Sequence, residues 1–242
     1  MTAIQAAFVS LSGGAEGGDD EAYLRWHLLD HLPEQYSIPG LRLGTRWRAD
    51  EECIALRWVA SDALAPVRHA VAYLMTDPLD DTLREFVALA GRLRDEGRFP
   101  HRATSHLLGA YELERADASP AAVVSAAALP FRPHRGVLLL VESAGPAPDV
   151  STLLAVDGVA GVMSFRSGQR LGIGAEQGER YGMPLWDPGD RRITVVHLDG
   201  WLSDVVPRLE APIRARWASG DVVPELAAPF RSMVSYEVWP SG

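Results

Sequence analysis

The chain has no lysine and no asparagine, and a single cysteine, Cys53. Because all 23 basic residues are arginine, Schiff-base chemistry and a phosphate-cradling lysine are excluded. Without asparagine there is no N-glycosylation acceptor. One thiol rules out intrachain disulfides and multi-cysteine zinc sites. The arginine bias fits GC-rich bacterial codon usage. No apolar run approaches a membrane span, and the N-terminus lacks a charged-then-apolar leader, so a soluble cytoplasmic protein is expected. Positive charge is also in deficit. A net charge of −9 argues against nucleic acid or an anionic membrane as partner.

What is present is ordinary for a globular protein: 242 residues, 47% of them hydrophobic, enough for one large domain or two small ones. The stretch from Tyr23 to Glu34 organises the rest. It follows a strand-like run, Ile4 to Leu11, and a glycine-rich loop, Gly13 to Gly18. Asp19 and Asp20 can cap a helix over 19–35 by accepting from its first free amides. Leu24, Leu28 and Leu32 form an apolar stripe, with Tyr23, His27 and His31 as a second stripe beside it. Pro33 removes a backbone donor and should bend or end the helix soon after His31.

Strands are expected at Leu41–Arg48, where Leu41, Leu43, Thr45 and Trp47 alternate with Arg42, Gly44, Arg46 and Arg48, and at Cys53–Ala60, His69–Thr76 and Leu107–Glu114. A helix over Leu79–Glu96 closes on Gly97 and turns Asp80, Asp81, Arg84 and Glu85 to solvent. The order is β-α-β-β-α-β, the ferredoxin-like unit. Residues 119–135, rich in alanine and proline, read as a linker between a first unit (1–118) and a second (136–242). The order then repeats: strand 136–143, short helix 148–156, strand 161–166, strand 191–198, helix 203–218 and a last strand, Met233–Trp239. Three local matches in the same order support duplication: Ile38-Pro39-Gly40-Leu41 with Val156-Asp157-Gly158-Val159, Val71-Ala72-Tyr73-Leu74 with Val195-Val196-His197-Leu198, and Tyr111-Glu112-Leu113 with Tyr236-Glu237-Val238. The fold class expected is α+β, two tandem units forming one intrachain barrel.

A helix carrying Trp26-His27 and His31-x-Pro33, then Pro39-Gly40 and a strand with Arg46-Trp47, resembles the EthD-like branch of the dimeric α+β-barrel superfamily. The resemblance spans residues 4–114 and is architectural over 136–240. It implies two ferredoxin-like units whose sheets close into a barrel, with a ligand cavity between a unit's helices and its sheet. Members of that superfamily include cofactor-free monooxygenases of aromatic polyketides, cyclases, decarboxylases, an isomerase and haem enzymes, so the fold implies no single reaction. The resemblance carries over His31, followed by Pro33, as the polar residue of the cavity. The second copy has no helix histidine, which implies one site per chain.

On residue chemistry alone, His31 and His27 are candidate general acid–base residues, because imidazole titrates near neutral pH. The blander reading is that each satisfies a nearby carbonyl or caps a turn. Histidines at i and i+4 also pair on zinc, but the intervening Leu28-Leu29-Asp30 lacks the zinc-protease glutamate. None of His69, His101, His106 or His197 stands out as a third ligand, so no metal is expected. The haem proteins among the tandem barrels the chain resembles imply an axial helix histidine in the second half, where only His134, beside the linker, and His197, on a strand, occur; no cofactor is expected. Tyr23, Trp47, Tyr73 and Phe8 are candidate substrate-binding aromatics by strand or helix parity, against a default of plain core. The glycine-rich stretch Ser167–Asp190 lacks dinucleotide spacing and reads as a surface loop or a lid. The function expected is a cofactor-independent enzyme for a small hydrophobic, aromatic or polyketide-like compound. Cyclisation, isomerisation, decarboxylation and oxygenation are all open. The alternatives are a non-catalytic binding protein and an accessory subunit of the same fold; a homodimer is compatible with each.

Overall fold

The computed structural model describes residues 4–167 and 190–234. Strand β1 (Ala6–Ala15) leads into α1 (Asp20–Trp26), a π-helical turn (His27–His31) and α2 (Leu32–Gln35). Next come β2 (Leu41–Arg48), α3 (Glu51–Ala55), β3 (Val59–Ala60), β4 (His69–Met75), α4 (Leu79–Asp95) and β5 (Ala103–Ala118). Two 3-10 turns, Pro120–Ala122 and Leu129–Phe131, carry the chain to β6 (Gly136–Ser143) and α5 (Ser151–Leu154). The described residues continue through β7 (Val159–Arg166), β8 (Arg191–Leu198), α6 (Leu202–Trp217) and β9 (Pro224–Ser232).

The strands run in the order β2-β4-β1-β5-β7-β8-β6-β9, and β9 pairs back onto β2 through Trp47–Ser232 and Arg48–Arg231. The result is a closed, eight-stranded antiparallel barrel, with β3 held on β9 beside the closure. Closure removes the open edges that a sheet would otherwise present. Strand β5 joins the two halves: it pairs with β1 up to Glu112 and with β7 from Glu112 to Ala118. Residues Arg115–Ala118, beyond the strand end expected at Glu114, therefore belong to the barrel.

Period-two alternation sends Leu11, Trp47, Ala70, Ala72, Leu139 and Val195 into one hydrophobic core. A second core lies outside the first four strands, where Leu24, Leu28, Leu32, Leu83, Phe86, Val87 and Leu93 of the helices meet Phe8, Val71 and Tyr73. Helix α6 covers the second half with Leu202, Val205, Val206, Leu209 and Ile213. No helix among the described residues is long and apolar enough to cross a membrane.

Two expectations are corrected. Cys53 sits in α3 rather than a strand, because Asp50 Oδ1 accepts from its amide and caps the turn. The short helix of the second half covers only Ser151–Leu154. The expected last strand, Met233–Trp239, lies outside the described residues from 235 onward; the strand that follows α6 among them is Pro224–Ser232. Its two prolines and its alanines hide it from a propensity reading, yet Pro229 falls between the stretches paired with β3 and β2, where a missing donor costs least. The third repeat match, at Tyr236–Val238, and the interior of the Ser167–Asp190 loop lie outside the described residues.

Candidate functional site

Helix α1 starts as its sequence dictates, with Asp19 Oδ1 accepting from Ala22 N at 2.9 Å. Asp20 does something else: Oδ1 accepts from Ala15 N at 2.6 Å, and Oδ2 stands 3.3 Å from His69 Nε2. The helix widens at His27–His31, where the amide of Leu32 donates to the carbonyl of His27, five residues back. Pro33 accounts for this. It has no N–H for the carbonyl of Leu29, and its ring would crowd that oxygen in a regular α-turn, so the backbone opens by one residue. The expected bend is thus a π-turn. His27 and His31 project side by side, ring centroids 5.4 Å apart.

Beneath them, backbone register stacks residues in rows across the sheet. One row holds Gly44, Tyr73, Phe8 and Ala110; the next holds Arg46, Val71, Ser10 and Leu108. Between this sheet face, α1, the π-turn and α4 lies a cavity of about 450 Å³. Phe8, Tyr23, His27, His31 and Tyr73 all line it, together with Trp26, Gln35, Phe86, Phe99 and His101. Trp47 does not. It pairs with Ala70, one residue out of phase with Arg46 and Val71, so it points into the barrel and donates its indole N–H to His134 Nε2 at 3.1 Å. A one-residue difference in parity exchanges faces, and here it puts Arg46 rather than Trp47 on the helix side of the sheet, against Tyr23 and behind the cavity lining.

Contacts within the cavity wall are specific. His27 Nε2 lies 3.0 Å from the Tyr73 hydroxyl. Burial, more than any neighbouring charge, lowers His27 well below the ordinary histidine range and raises the Tyr73 phenol. Both are therefore neutral near pH 7, and which of the two donates is set by the His27 tautomer. His31 stacks on Trp26 at 5.0 Å, meets Phe99 edge-on at 4.8 Å and approaches Gln35 Nε2 at 3.4 Å. Burial first, then the positive charge of Arg46, depresses His31 to about 4, and the same two causes bring His69 to about 4. The Arg46 guanidinium lies 4.5 Å from the centroid of Tyr23, in cation–π geometry. Arg46 is 2% exposed, and its three side-chain nitrogens have no hydrogen-bond partner.

No protein-family model matches the chain, and no curated protein matches it in sequence. Solved structures do match. A protein described as a candidate chlorite dismutase superposes with a TM-score of 0.55 at 14% identity, with 97% of each chain covered. A protein described as a candidate monooxygenase, from Fusobacterium nucleatum, gives 0.52 at 9% identity over 97% of this chain and 94% of that one. The fold is that of a dimeric α+β barrel. At such identities the likeness shows the fold alone.

Within this barrel, among the described residues, no three His, Cys, Asp or Glu side chains converge as a metal site. The second half has its own cavity of about 370 Å³ between helices and sheet, lined by Leu140, Glu142, Thr194, Ile213 and Arg216 among others and by no histidine. His197 packs inside the barrel against His134, centroids 4.7 Å apart, away from that cavity.

The residues that sequence reasoning passed over are Arg46, Gln35, His69, Phe86 and Phe99. Arg46 looked like the solvent face of a strand, since Arg42 and Arg48 flank it. The available signal was Gly44: a glycine amid arginines marks where another element presses close. A Cβ there would come within 2.2 Å of Leu32 Cδ1.

Proposed function

We propose that the chain is a cofactor-independent enzyme that moves a proton on a small hydrophobic or aromatic, polyketide-like compound held in the 450 Å³ cavity. The observation that carries this is the pair of neutral imidazoles, His27 and His31, side by side on a wall otherwise built of Tyr23, Trp26, Tyr73, Phe8, Phe86 and Phe99. As free bases they can accept a proton from a phenol or an activated carbon. Their lowered basicity means that transfer becomes favourable only as negative charge develops on the bound compound, beside the imidazolium being formed. That is transition-state-selective stabilisation. In this reading His31 handles the proton, His27 and Tyr23 assist, and Tyr73 orients His27 through the bond to its Nε2. Cyclisation, isomerisation, decarboxylation and cofactor-free oxygenation all begin with such a step.

Two finer readings belong to this proposal. Trp26-His27, His31-x-Pro33 and Arg46-Trp47 support placing the chain with EthD-like barrels. The order β-α-β-β-α-β, with sheet orders β2-β4-β1-β5 and β7-β8-β6-β9, supports two ferredoxin-like units in tandem. A non-catalytic binding protein is the alternative, favoured by the His27–Tyr73 bond, which satisfies one imidazole nitrogen without any substrate.

The test is His31→Ala in a screen of aromatic and polyketide-like compounds, following substrate loss by chromatography and affinity by calorimetry. The expected outcome is loss of at least about a hundredfold in turnover, the usual contribution of a positioned acid–base group, with affinity changed only a few-fold. Unchanged turnover would remove His31 from the mechanism. Binding by the wild-type protein without turnover of any compound would favour sequestration.

A further inference from the structure

The other arginine as deeply buried among the described residues, Arg192, is fully supplied with acceptors, and the half-buried Arg216 and Arg57 each have two. Arg192, 1% exposed, is gripped by both oxygens of Glu114, at 2.7 and 3.0 Å, and by the carbonyls of Gly145 and Pro146. Arg216 donates to Glu142 and Pro146, and Arg57 to the carbonyls of Ala65 and Val67. Arg46 is the exception among these. Its Nε, Nη1 and Nη2 are all buried and none has a partner, so a full positive charge is balanced by nothing more than the face of Tyr23. An unpaired buried charge is among the costliest arrangements a fold can keep. Arg46 is not in the lining itself: it shares its row with Val71, Ser10 and Leu108, which all line the cavity, and its guanidinium lies against the Tyr23 ring, which lines it too. The lining adds Arg94 and Arg102 against one carboxylate, Glu16.

We propose that the ligand of this cavity is an aromatic carboxylate, whose anionic group is received by the Arg46 guanidinium while its ring packs among the cavity aromatics. The proposal rests on the reading of this cavity as the substrate site and names the class of compound it takes. Arginine suits the task because its planar fork meets a carboxylate with two parallel N–H donors, a geometry a neutral amide cannot match. The neutral imidazoles complete the fit: they add hydrogen-bonding capacity without adding charge, and the unpartnered Nδ1 atoms of His27 and His31 remain for the same ligand.

The experiment compares 2-naphthoate with its neutral isostere 2-naphthamide by calorimetry, with tryptophan fluorescence as a second readout because Trp26 lines the cavity. The wild-type protein should bind naphthoate at least about tenfold more tightly than naphthamide, one charge-assisted hydrogen bond being worth that much. Arg46→Met should remove the preference and leave naphthamide binding within about threefold, whereas Arg46→Lys should keep part of it. Equal affinities for the two compounds, or a preference surviving in a folded Arg46→Met protein, would overturn the proposal. The wild-type comparison stands even if the variant does not fold. Binding of naphthamide without preference would remove the charge recognition but keep the cavity as a site, whereas binding of neither compound would sink both.

Discussion

Among single residues, the histidines of the site, His27, His31 and the neighbouring His69, tie structure to pH. In the unfolded chain each titrates near 6.5, but in the fold His31 and His69 are depressed to about 4, and burial drives His27 the same way. A histidine whose folded pKa is lowered contributes nothing above pH 6.5, where both states are neutral. As pH falls from 6.5 towards 4, the unfolded state takes up protons that the folded state refuses, and stability drops. His69, with no exposure, should contribute up to about 3 kcal/mol of that loss, and His31, which keeps some contact with water, less. Urea denaturation at pH 7.5, 6.0 and 5.0 should therefore show a falling midpoint before the carboxylates begin to titrate. A flat profile over that interval would mean that the imidazoles are hydrated or charged in the native state. The identity of these residues was legible in the sequence, and so was the pairing of His27 with His31 on one helix. The isolation of Arg46 was not, because it depends on what other elements fail to bring near it.

At the scale of elements, the site depends on how closely α2 lies on β2. Gly44 permits the approach: an added Cβ would meet Leu32 Cδ1 at 2.2 Å and Tyr73 Cδ1 at 3.3 Å. Gly44→Ala should cost about 1–3 kcal/mol, the usual range for overpacking a tight contact. It should also reduce turnover by shifting the π-turn that carries His31. Chemical denaturation and steady-state rates read the two effects separately. A change below about 0.5 kcal/mol, the scatter of neutral surface substitutions, would mean that Leu32 swings aside freely. The helix itself was readable from Asp19, the Leu24-Leu28-Leu32 stripe and Pro33. Its π-turn was readable only as a disturbance, since a proline signals that a regular turn must fail without saying whether the chain kinks or widens. Helix α3 and strand β9 were misread for a related reason. Each is short, or broken by proline, and is held by partners distant in sequence: Arg231 of β9 reaches Asp50 and Glu52 beside and within α3.

The whole molecule is held together where the halves meet. Glu114 of β5 and Arg192 of β8 form a bidentate pair between them, and the guanidinium keeps the Glu114 carboxyl below its ordinary range. Glu114→Ala would leave Arg192 with two carbonyls in place of a counter-ion. The expected loss is about 3 kcal/mol, against less than about 1 kcal/mol for Glu210→Ala, which breaks the exposed pair with Arg214 on α6. Thermal denaturation of the two variants side by side checks this, and equal small losses would show that Arg192 is served by its carbonyls alone. By itself the sequence determined the alternation of strands and helices, the repeat at Val71–Leu74 and Val195–Leu198, the capped histidine helix and the exclusions that follow from having no lysine and one cysteine. These are properties of periodicity and composition, carried by residues close together in the chain. Only the tertiary structure decided which face of β2 lies under the histidine helix, that β5 extends into both halves, and that one buried cation lacks a hydrogen-bond partner. Each of those depends on register and on proximity between residues far apart in sequence, and a shift of one position reverses them.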